Sequence, residues 1–443
     1  MQEQASGVIQ DFSLKGYGTV EGVEIAHTVP GDHILYELTR KKRLPQKGRL
    51  LAVLEPSSDR VESRCAHSQT CGGCCWQQIS YQAQLREKQE RVRFAFKQTP
   101  SSILPSKEIF GYRNKMEFSF SENRAGTRFL GLMIAQAEPY VFNVTECHLA
   151  SPWFARVLNR VRHWWEQSSL KAYDPPKNAG SLRYLTLREA KRTDQKMVVL
   201  NVSGNPEYAL RQEMLEGFVQ AVSEECPDAS IFLRIHQTQK GRPTQFFEMH
   251  LQGPDHILEK LHLNVGTLQF KISPISFFQP NTLSAETLYN EAIASVPSNS
   301  TVYDLYCGTG TLGMAASKNA KQVIGVELSP EAVLDAKENC KINQIENMTV
   351  IQGDVGKVLK EYTLPPPDVL IVDPPRAGLD DLALSHVKQL KPPTLIYISC
   401  NPLTQAKNIE ELKKIGYKIQ KLQPVDQFPH TYHIENIAVL END

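Results

Sequence analysis

The sequence predicts a multidomain protein of mixed α/β and β class, with an N-terminal OB-like β-barrel, a central β-rich domain and a C-terminal Rossmann-like α/β domain. Short β segments broken by Gly and Pro fill the first 58 residues, and a longer β-rich region follows. From about residue 284, apolar strands alternate with helices, which is typical of a doubly wound parallel sheet. The 443 residues are sufficient for several cores, and we place the domains at 1–58, 59–276 and 277–443.

The N-terminal segments GYGTVEGVEIAHTV, PGDHILYELTRK and GRLLAVLEP alternate apolar and polar residues between turn signals. This pattern favours a small all-β barrel. The basic run RKKR at 40–43 is either a phosphate contact or a solvated loop. Residues 77–108, which include a polar helical stretch, belong to the central domain by position but have an alternative place against the C-terminal domain.

The central region carries seven candidate strands and two helical stretches, which predicts a domain built on an antiparallel sheet. Arg113 and Lys115 in YRNKMEF are candidate phosphate contacts. Trp164 and Trp165 are candidates for stacking on bases, but their helical spacing with apolar neighbours favours core packing.

The formal net charge of zero hides an uneven distribution. Residues 60–192 carry 21 basic and 11 acidic side chains, whereas residues 193–443 carry 21 basic and 30 acidic ones. A nucleic-acid backbone would therefore dock mainly on the central region. No segment is apolar for long enough to span a bilayer, and the start MQEQASGVIQ lacks a signal-peptide layout, so we expect a cytoplasmic protein without a membrane partner.

The segment TVYDLYCGTGTLGMAA reads as a strand, a glycine-rich turn and a helix start. Gly308, Gly310 and Gly313 have GxGxxG spacing, and Glu327 ends the next strand, where a carboxylate holds ribose hydroxyls. Asp354 ends a third strand and is suited to accept from an adenine amino group. This pattern leaves a dinucleotide and S-adenosylmethionine (AdoMet) open as ligands.

The sequence DVLIVDPPR places Asp373 at the end of a fourth strand, in the same crevice as the glycine turn. A DPP motif at this point resembles AdoMet-dependent methyltransferases that act on nucleobases, and not dehydrogenases. AdoMet is therefore the favoured ligand.

Three further motifs supply reactive groups: Cys400 in SCNP follows the fifth strand, Glu435 lies in FPHTYHIE, and Gln279 lies in SFFQPN. A cysteine at a sheet's carboxyl edge suits covalent addition to carbon 6 of uracil, which activates carbon 5 for methylation. A base must then remove the C5 proton, a role that fits Glu435. Amino-methylating enzymes need no such nucleophile, so SCNP argues against that chemistry.

Taken in order, SFFQPN, DLYCGTGTLG, VDPPRAGL, ISCNP and FPHTYHIE closely resemble the RNA uracil-C5 methyltransferase family, over nearly the whole chain. The resemblance implies Cys400 as nucleophile and Glu435 as base. It also implies AdoMet contacts at Gln279, Tyr306, Gly308, Thr311, Glu327, Asp354 and Asp373. It further implies that the N-terminal segment is a TRAM domain, which is an OB-like RNA-binding module.

Nine cysteines in a chain without an export signal argue against disulfides and for metal or catalytic roles. Cys65, Cys71 and Cys74 read CxxxxxCGGC, and Cys147 lies far downstream; by spacing alone, zinc and a [4Fe–4S] cluster are both open. The family resemblance implies a [4Fe–4S] cluster on these four residues, as in members that modify 23S rRNA. The spare cysteines are expected to pack in the interior: Cys75, Cys226, Cys307 and Cys340.

The resemblance thus implies methylation of a uridine in RNA, with 23S rRNA favoured over tRNA, and no obligate protein partner is inferred. A uridine within folded RNA would have to be flipped out to reach a buried cysteine. Two other classes remain open: a dinucleotide-dependent iron–sulfur oxidoreductase, which leaves SCNP and FPHTYHIE without a role, and a noncatalytic RNA-binding protein.

Overall fold

The computed structural model describes residues 4–39, 45–137, 139–238, 241 and 244–442. The basic run at 40–43 lies outside the described residues. Within them, the strands form a six-stranded sheet, two seven-stranded sheets and a two-stranded hairpin. No helix in this described part combines the length and apolar character needed to cross a membrane.

The N-terminal sheet occupies the region where the sequence predicts a small barrel. Its strand order is β1-β5-β6-β4-β3-β2, and alternate side chains of these strands form one small core. All neighbouring strands are antiparallel except β4 and β6. The strands are β1 (Gln4–Val8), β2 (Asp11–Phe12), β3 (Gly18–Val20), β4 (Val23–Ile25), β5 (His33–Leu38) and β6 (Gln46–Glu55).

Helix α1 (Tyr81–Phe96) follows the cysteine-rich segment. It begins where the Ser80 side chain accepts from the backbone N–H of Ala83, and it ends at Lys97, whose left-handed backbone stops the helix. Its buried residues Val92 and Phe96 belong to the core of the C-terminal α/β unit. The helix therefore packs against the C-terminal unit and not into the central sheet.

The central sheet has the order β13-β12-β11-β10-β7-β8-β9 and packs one face against two helices. Trp165 is fully buried in this core, as its helical spacing predicts. The prediction of an antiparallel sheet is wrong for one pair of strands. Strands β11 and β12 are parallel, because the chain crosses from one to the other through helix α3. The elements are β7 (Lys115–Glu122), β8 (Arg128–Met133), β9 (Val141–Asn143), α2 (Trp153–Gln167), β10 (Leu182–Glu189), β11 (Lys196–Ser203), α3 (Gln212–Ser223), β12 (Ser230–Gln237) and β13 (Gln245–Gln252).

A hairpin of β14 (Ile257–Leu263) and β15 (Gly266–Ile272) leads into helix α4 (Thr282–Ile293). The hairpin shares a core with α4 and with the strands of the C-terminal unit. The Asn281 side chain caps α4 and also donates to the backbone carbonyl of Gln427, which ties this junction to the last loop of the chain.

The C-terminal sheet has the order β18-β17-β16-β19-β20-β22-β21. The first five strands are parallel, and β22 runs antiparallel to both of its neighbours, β20 and β21. Apolar strands covered by helices on both faces form its core, as the sequence predicts. The elements are β16 (Thr301–Leu305), α5 (Thr311–Ser317), β17 (Gln322–Glu327), α6 (Pro330–Ile342), β18 (Met348–Gln352), α7 (Val355–Glu361), β19 (Val369–Val372), α8 (Asp381–Leu390), β20 (Thr394–Ser399), α9 (Pro402–Lys413), β21 (Tyr417–Val425) and β22 (Glu435–Asn442).

Candidate active site

The glycine-rich turn joins β16 to α5 at the carboxyl edge of the sheet. Gly308 and Gly310 adopt positive φ, as does Tyr306 (φ 65°), which is uncommon for a residue with a side chain. The backbone N–H of Gly313 donates to Asp304 at 2.8 Å, and a Cβ at Gly313 would lie only 2.9 Å from that carboxylate. These contacts therefore fix the conformation of the turn at the carboxyl edge of the sheet.

Glu327 ends β17 beside this turn, where the sequence places it. Its carboxylate accepts from the backbone N–H of Gly308 at 3.0 Å and of Ser329 at 2.8 Å. Asp354 follows β18 and caps α7 by accepting from the Lys357 backbone N–H. Burial raises the pKa of Tyr306 to about 12, and the charges of Asp380 and then Asp354 add to the rise.

Buried and half-buried acids gather behind the turn. Burial raises the pKa of Asp304 to about 7, and it also raises the pKa of Asp373, which follows β19. Tyr289 on α4 lies near these acids. Burial raises its pKa, and the charges of Asp373, Glu435 and Asp304 add to the rise. The Tyr289 side chain also hydrogen-bonds with Thr311. Such a concentration of unpaired acid suits a site that receives a cation.

Cys400 and Glu435 face each other across two antiparallel strands. Ser399 at the end of β20 pairs with Asn436 of β22, so Cys400 and Glu435 occupy the next opposed positions. Burial, followed by the charge of Glu435, raises the pKa of the Cys400 thiol to about 11, while Arg376 opposes the rise. Glu435 is almost fully buried, and burial and Asp373 raise its pKa well above the usual value.

Gln279 is also buried and lies on the loop that precedes α4. Asn114 at the start of the central sheet donates to its backbone carbonyl at 2.9 Å, and Gln427 from the last loop donates to its side-chain oxygen at 3.4 Å. Gln279 therefore lies where the central domain and the loop that leads to Glu435 meet.

A cavity of about 700 Å³ opens above Cys400. Cys400, Arg376 and His433 form one part of its wall. The ring Nδ1 of His433 lies 3.3 Å from the Arg376 guanidinium. The rest of the wall is formed by residues 401–403, by Tyr432 and Ile434, by residues 11–14 of the N-terminal region and by the Glu87–Phe94 part of α1. The nucleophile predicted from sequence is thus accessible to a large ligand.

The four cysteines predicted as cluster ligands also lie close together. The charge of Cys147 contributes to raising the pKa values of Cys65, Cys71 and Cys74, although burial is the main cause for each. Cys75 is turned away from this group: the backbone N–H of Tyr432 hydrogen-bonds its sulfur, next to the active-site cavity. In the part of the chain that is described, no group of three or more His, Cys, Asp or Glu side chains is arranged around one metal-ion position.

Several residues of the site were not identified from sequence. Asp304 lies within the apolar strand β16 and Tyr289 within helix α4, so neither follows a recognisable motif. For Asp304, the one possible signal was an acidic residue inside a buried strand. Arg376 follows the DPP motif directly, and His433 lies within FPHTYHIE, so proximity to recognised motifs was the signal for both. Nothing in the sequence placed α1 beside Cys400.

Comparison with known proteins first defines the class of protein, because the chain shares its fold with an AdoMet-dependent methyltransferase. Over 98% of this chain and 100% of the other, it superposes with a TM-score of 0.77 and 26% identity on the crystal structure of the tRNA (uracil-54, C5)-methyltransferase of Pyrococcus abyssi in complex with S-adenosyl-L-homocysteine. The family model described as tRNA (uracil-5-)-methyltransferase matches residues 245–354 and 354–443.

Proteins with similar sequences then identify the family within this class. An uncharacterized RNA methyltransferase of Protochlamydia amoebophila is 49% identical over 94% of this chain and 99% of its own length. Another, from Caldanaerobacter subterraneus, is 33% identical over 98% of this chain and 97% of its own length. The chain belongs to the RNA 5-methyluridine (m5U) methyltransferase family. The oxidoreductase alternative is not favoured.

Proposed function

We propose that this protein transfers a methyl group from AdoMet to carbon 5 of a specific uridine in RNA, through a covalent bond between Cys400 and carbon 6. The observation that carries the proposal is the opposition of Cys400 and Glu435 at the carboxyl edge of the sheet, below an open cavity. C5 methylation requires a nucleophile and a nearby base, and here Cys400 lines the cavity while the buried Glu435 occupies the opposed strand position.

Carbon 5 of uracil is too weak a nucleophile to attack a methyl sulfonium directly. The Cys400 thiolate adds to carbon 6, which creates an enolate with electron density on carbon 5. AdoMet, when bound, supplies an electrophilic methyl group for that carbon. Glu435 then takes the C5 proton, the double bond re-forms, and Cys400 leaves as a thiolate.

The protonation states fit this sequence of steps. Burial raises the pKa of Glu435, which favours its protonated form but makes its ionised form a stronger base; a cationic ligand beside Asp373 and Glu435 would favour that ionised form. The Cys400 thiol needs help to ionise because burial raises its pKa, and the neighbouring Arg376 cation favours the thiolate. A cationic ligand facing Asp373 and Glu435 would offset their repulsion of a thiolate.

The proposed AdoMet contacts fit the residues present. The glycine turn approaches its ligand with little side-chain bulk. Asp304 is buried and Asp373 is half-buried, and neither forms an ion pair among the described residues. Glu327 retains acceptor capacity for ribose hydroxyls beside the two backbone donors that orient it. The full proposed set is Gln279, Tyr306, Gly308, Thr311, Glu327, Asp354 and Asp373.

We propose 23S rRNA as the substrate, with tRNA as the second candidate. The cysteine set and the N-terminal β-sheet, read as a TRAM domain, support rRNA through the family resemblance. The solved enzyme from P. abyssi, whose name specifies uracil 54 of tRNA, supports the alternative. The basic excess between residues 60 and 192 supports an RNA backbone on the central domain in either case.

We also propose a [4Fe–4S] cluster on Cys65, Cys71, Cys74 and Cys147. In such a cluster each thiolate ligates a different iron, so the sulfurs surround a cube and do not converge on one ion, as tetrahedral zinc requires. Backbone N–H groups of His67 and Gly73 already donate to the sulfurs of Cys65 and Cys71, and the Arg113 charge favours ionised Cys74 and Cys147. These features suit an anionic cluster in a structural or RNA-docking role.

The decisive experiment combines mapping with tritium release. Comparison of m5U positions in rRNA and tRNA from cells with and without the protein identifies the target uridine. Purified protein, AdoMet and that RNA labelled with tritium at uracil C5 should then release the label. Cys400→Ala should abolish release, whereas Cys340→Ala, which removes a thiol far from the cavity wall, should retain it. Release that survives Cys400→Ala would overturn the proposal.

A further inference from the structure

The cavity above Cys400 is larger than one extruded pyrimidine needs. Its volume of about 700 Å³ falls in the range of ~300–1,000 Å³ that accommodates a whole drug-sized ligand. Only part of its wall comes from the catalytic loops that carry Cys400 and His433; the remainder comes from α1 and from residues 11–14. The space therefore has a second part with its own walls.

Three exposed apolar side chains line this second part and its border with the Cys400 side, where Leu403 lies in the first turn of α9. Phe94 on α1 is 72% exposed, Leu14 is 66% exposed and Leu403 is 41% exposed. Isolated exposed apolar residues are ordinary, but three around the mouth of one cavity that continues to a reactive cysteine form a candidate contact surface. We refer to Phe94, Leu14 and Leu403 as the apolar rim.

Arg91 holds two sides of the apolar rim in a fixed relation. Its guanidinium donates to the backbone carbonyls of Ser13 at 2.7 Å and Leu14 at 3.1 Å. The same guanidinium lies over the rings of Trp76, at 5.3 Å, and Tyr432, at 5.4 Å. Since Phe94 lies three residues after Arg91 on the same helix face, its backbone is fixed relative to the Leu14 turn.

The exposed position of Phe94 is not needed by the fold. The neighbouring residues Val92 and Phe96 anchor α1 in the core, whereas the Phe94 ring points into the cavity mouth. An aromatic ring at the mouth of a nucleotide site offers a stacking surface, because every base presents a π-face. When a uridine is flipped out, the adjacent base loses one stacking partner and can gain another from such a ring.

We propose that the apolar rim is an outer subsite that holds the base of the nucleotide next to the target uridine, with Phe94 as the stacking residue and Leu14 beside it. The inference rests on the proposed function and adds a substrate-binding residue to it. It assigns α1 and the N-terminal sheet a direct part in positioning the RNA strand at Cys400.

The first test uses an RNA hairpin that spans the uridine found by mapping, labelled with tritium at C5. Phe94→Ala should raise the KM for the hairpin about tenfold or more with little change in kcat, since base–aromatic stacking contributes to binding before chemistry. Phe94→Trp should keep a KM near that of the unaltered protein. Leu382→Ala, which removes a 58% exposed leucine away from the cavity, is the matched control and should not change KM.

A second test asks whether Phe94 contacts that neighbouring base. Hairpins with an abasic residue on the 5′ or the 3′ side of the target are assayed with the unaltered protein and with Phe94→Ala. One of the two abasic hairpins should raise KM for the unaltered protein about as much as Phe94→Ala does, and the two changes together should add nothing further.

The outcomes separate the two proposals. An unchanged KM for Phe94→Ala, or abasic effects that add fully to the effect of the variant, overturns the outer subsite while leaving uracil methylation intact. No tritium release by the unaltered protein from any hairpin with a mapped uridine overturns the proposed function instead. Because Phe94 is exposed, an unchanged melting temperature is expected for Phe94→Ala.

Discussion

Cys400 and Glu435 lie opposite each other, one step beyond the paired residues Ser399 and Asn436 of strands β20 and β22. The antiparallel pairing fixes the positions of Ser399 and Asn436, so the adjacent residues Cys400 and Glu435 emerge side by side from the end of the ladder. Their coupling is also electrostatic, since the charge of Glu435 contributes to the raised pKa of Cys400. The proposed nucleophile and the proposed base thus lie together at the end of the sheet.

Glu435→Gln should trap the enzyme on its RNA. The amide is close in size to the carboxylic acid but cannot accept the C5 proton, so elimination of Cys400 is blocked after methyl transfer. A covalent protein–RNA band should accumulate on denaturing gels. The Cys400→Ala, Glu435→Gln double variant should show no band, and a band in that double variant would contradict the assignment of the nucleophile.

The rate of covalent addition should rise with pH. Burial raises the pKa of Cys400 to about 11, so across pH 6.5–8.5 the thiolate fraction of the free enzyme grows about tenfold per unit. The quantity to measure is kcat/KM from tritium release. A profile that is flat across this range would show that thiol ionisation does not limit the reaction.

Arg376→Met should move that profile to higher pH. Loss of a cation that favours the thiolate raises the pKa of Cys400 further, so kcat/KM should fall at pH 7.5 and recover partly toward pH 9.5. Lys414→Met, on an exposed ion pair at the end of α9, serves as the control for loss of one positive charge. An equal loss at every pH would point to RNA binding as the role of Arg376.

Protein purified without oxygen should contain about four iron and four sulfide per chain, as the proposed [4Fe–4S] cluster requires. Cys147→Ser should lower both contents and the visible absorption. Cys75→Ser should retain them, because Cys75 is directed at Tyr432 and away from the four ligands. One zinc ion per chain and no iron would contradict the cluster.

The ion pair of Lys88 and Asp426 should be important for stability. Both side chains are fully buried and 2.5 Å apart, so Lys88→Met leaves an unpaired buried carboxylate and should cost about 3–5 kcal/mol. Arg86→Met, which breaks the exposed pair with Asp59, should cost at most about 1 kcal/mol. Urea unfolding measures both. If Lys88→Met lowers the free energy of unfolding by a similarly small amount, Asp426 must become protonated or hydrated with little loss of stability.

The sequence by itself determined the C-terminal fold and the edge of the sheet at which the proposed reactive residues lie. Apolar strands in βαβ order have few ways to bury their faces, and the ends of parallel strands share one edge, so motifs after each strand had to meet there. The glycine turn, Asp373 and Cys400 were therefore placed correctly from their positions in the chain. Glu435 was predicted as the base from the chemistry of C5 methylation and again from the family resemblance, and its strand pairs with β20.

Only the tertiary structure decided what surrounds these residues. The parallel pairing of β11 with β12 follows from how α3 crosses the sheet. The positions of α1 and residues 11–14 in the cavity wall depend on contacts between segments far apart in sequence, such as Arg91 with Leu14. Periodicity records which face of a helix is buried and not which domain buries it, so the outer wall of the active site was not readable from the chain.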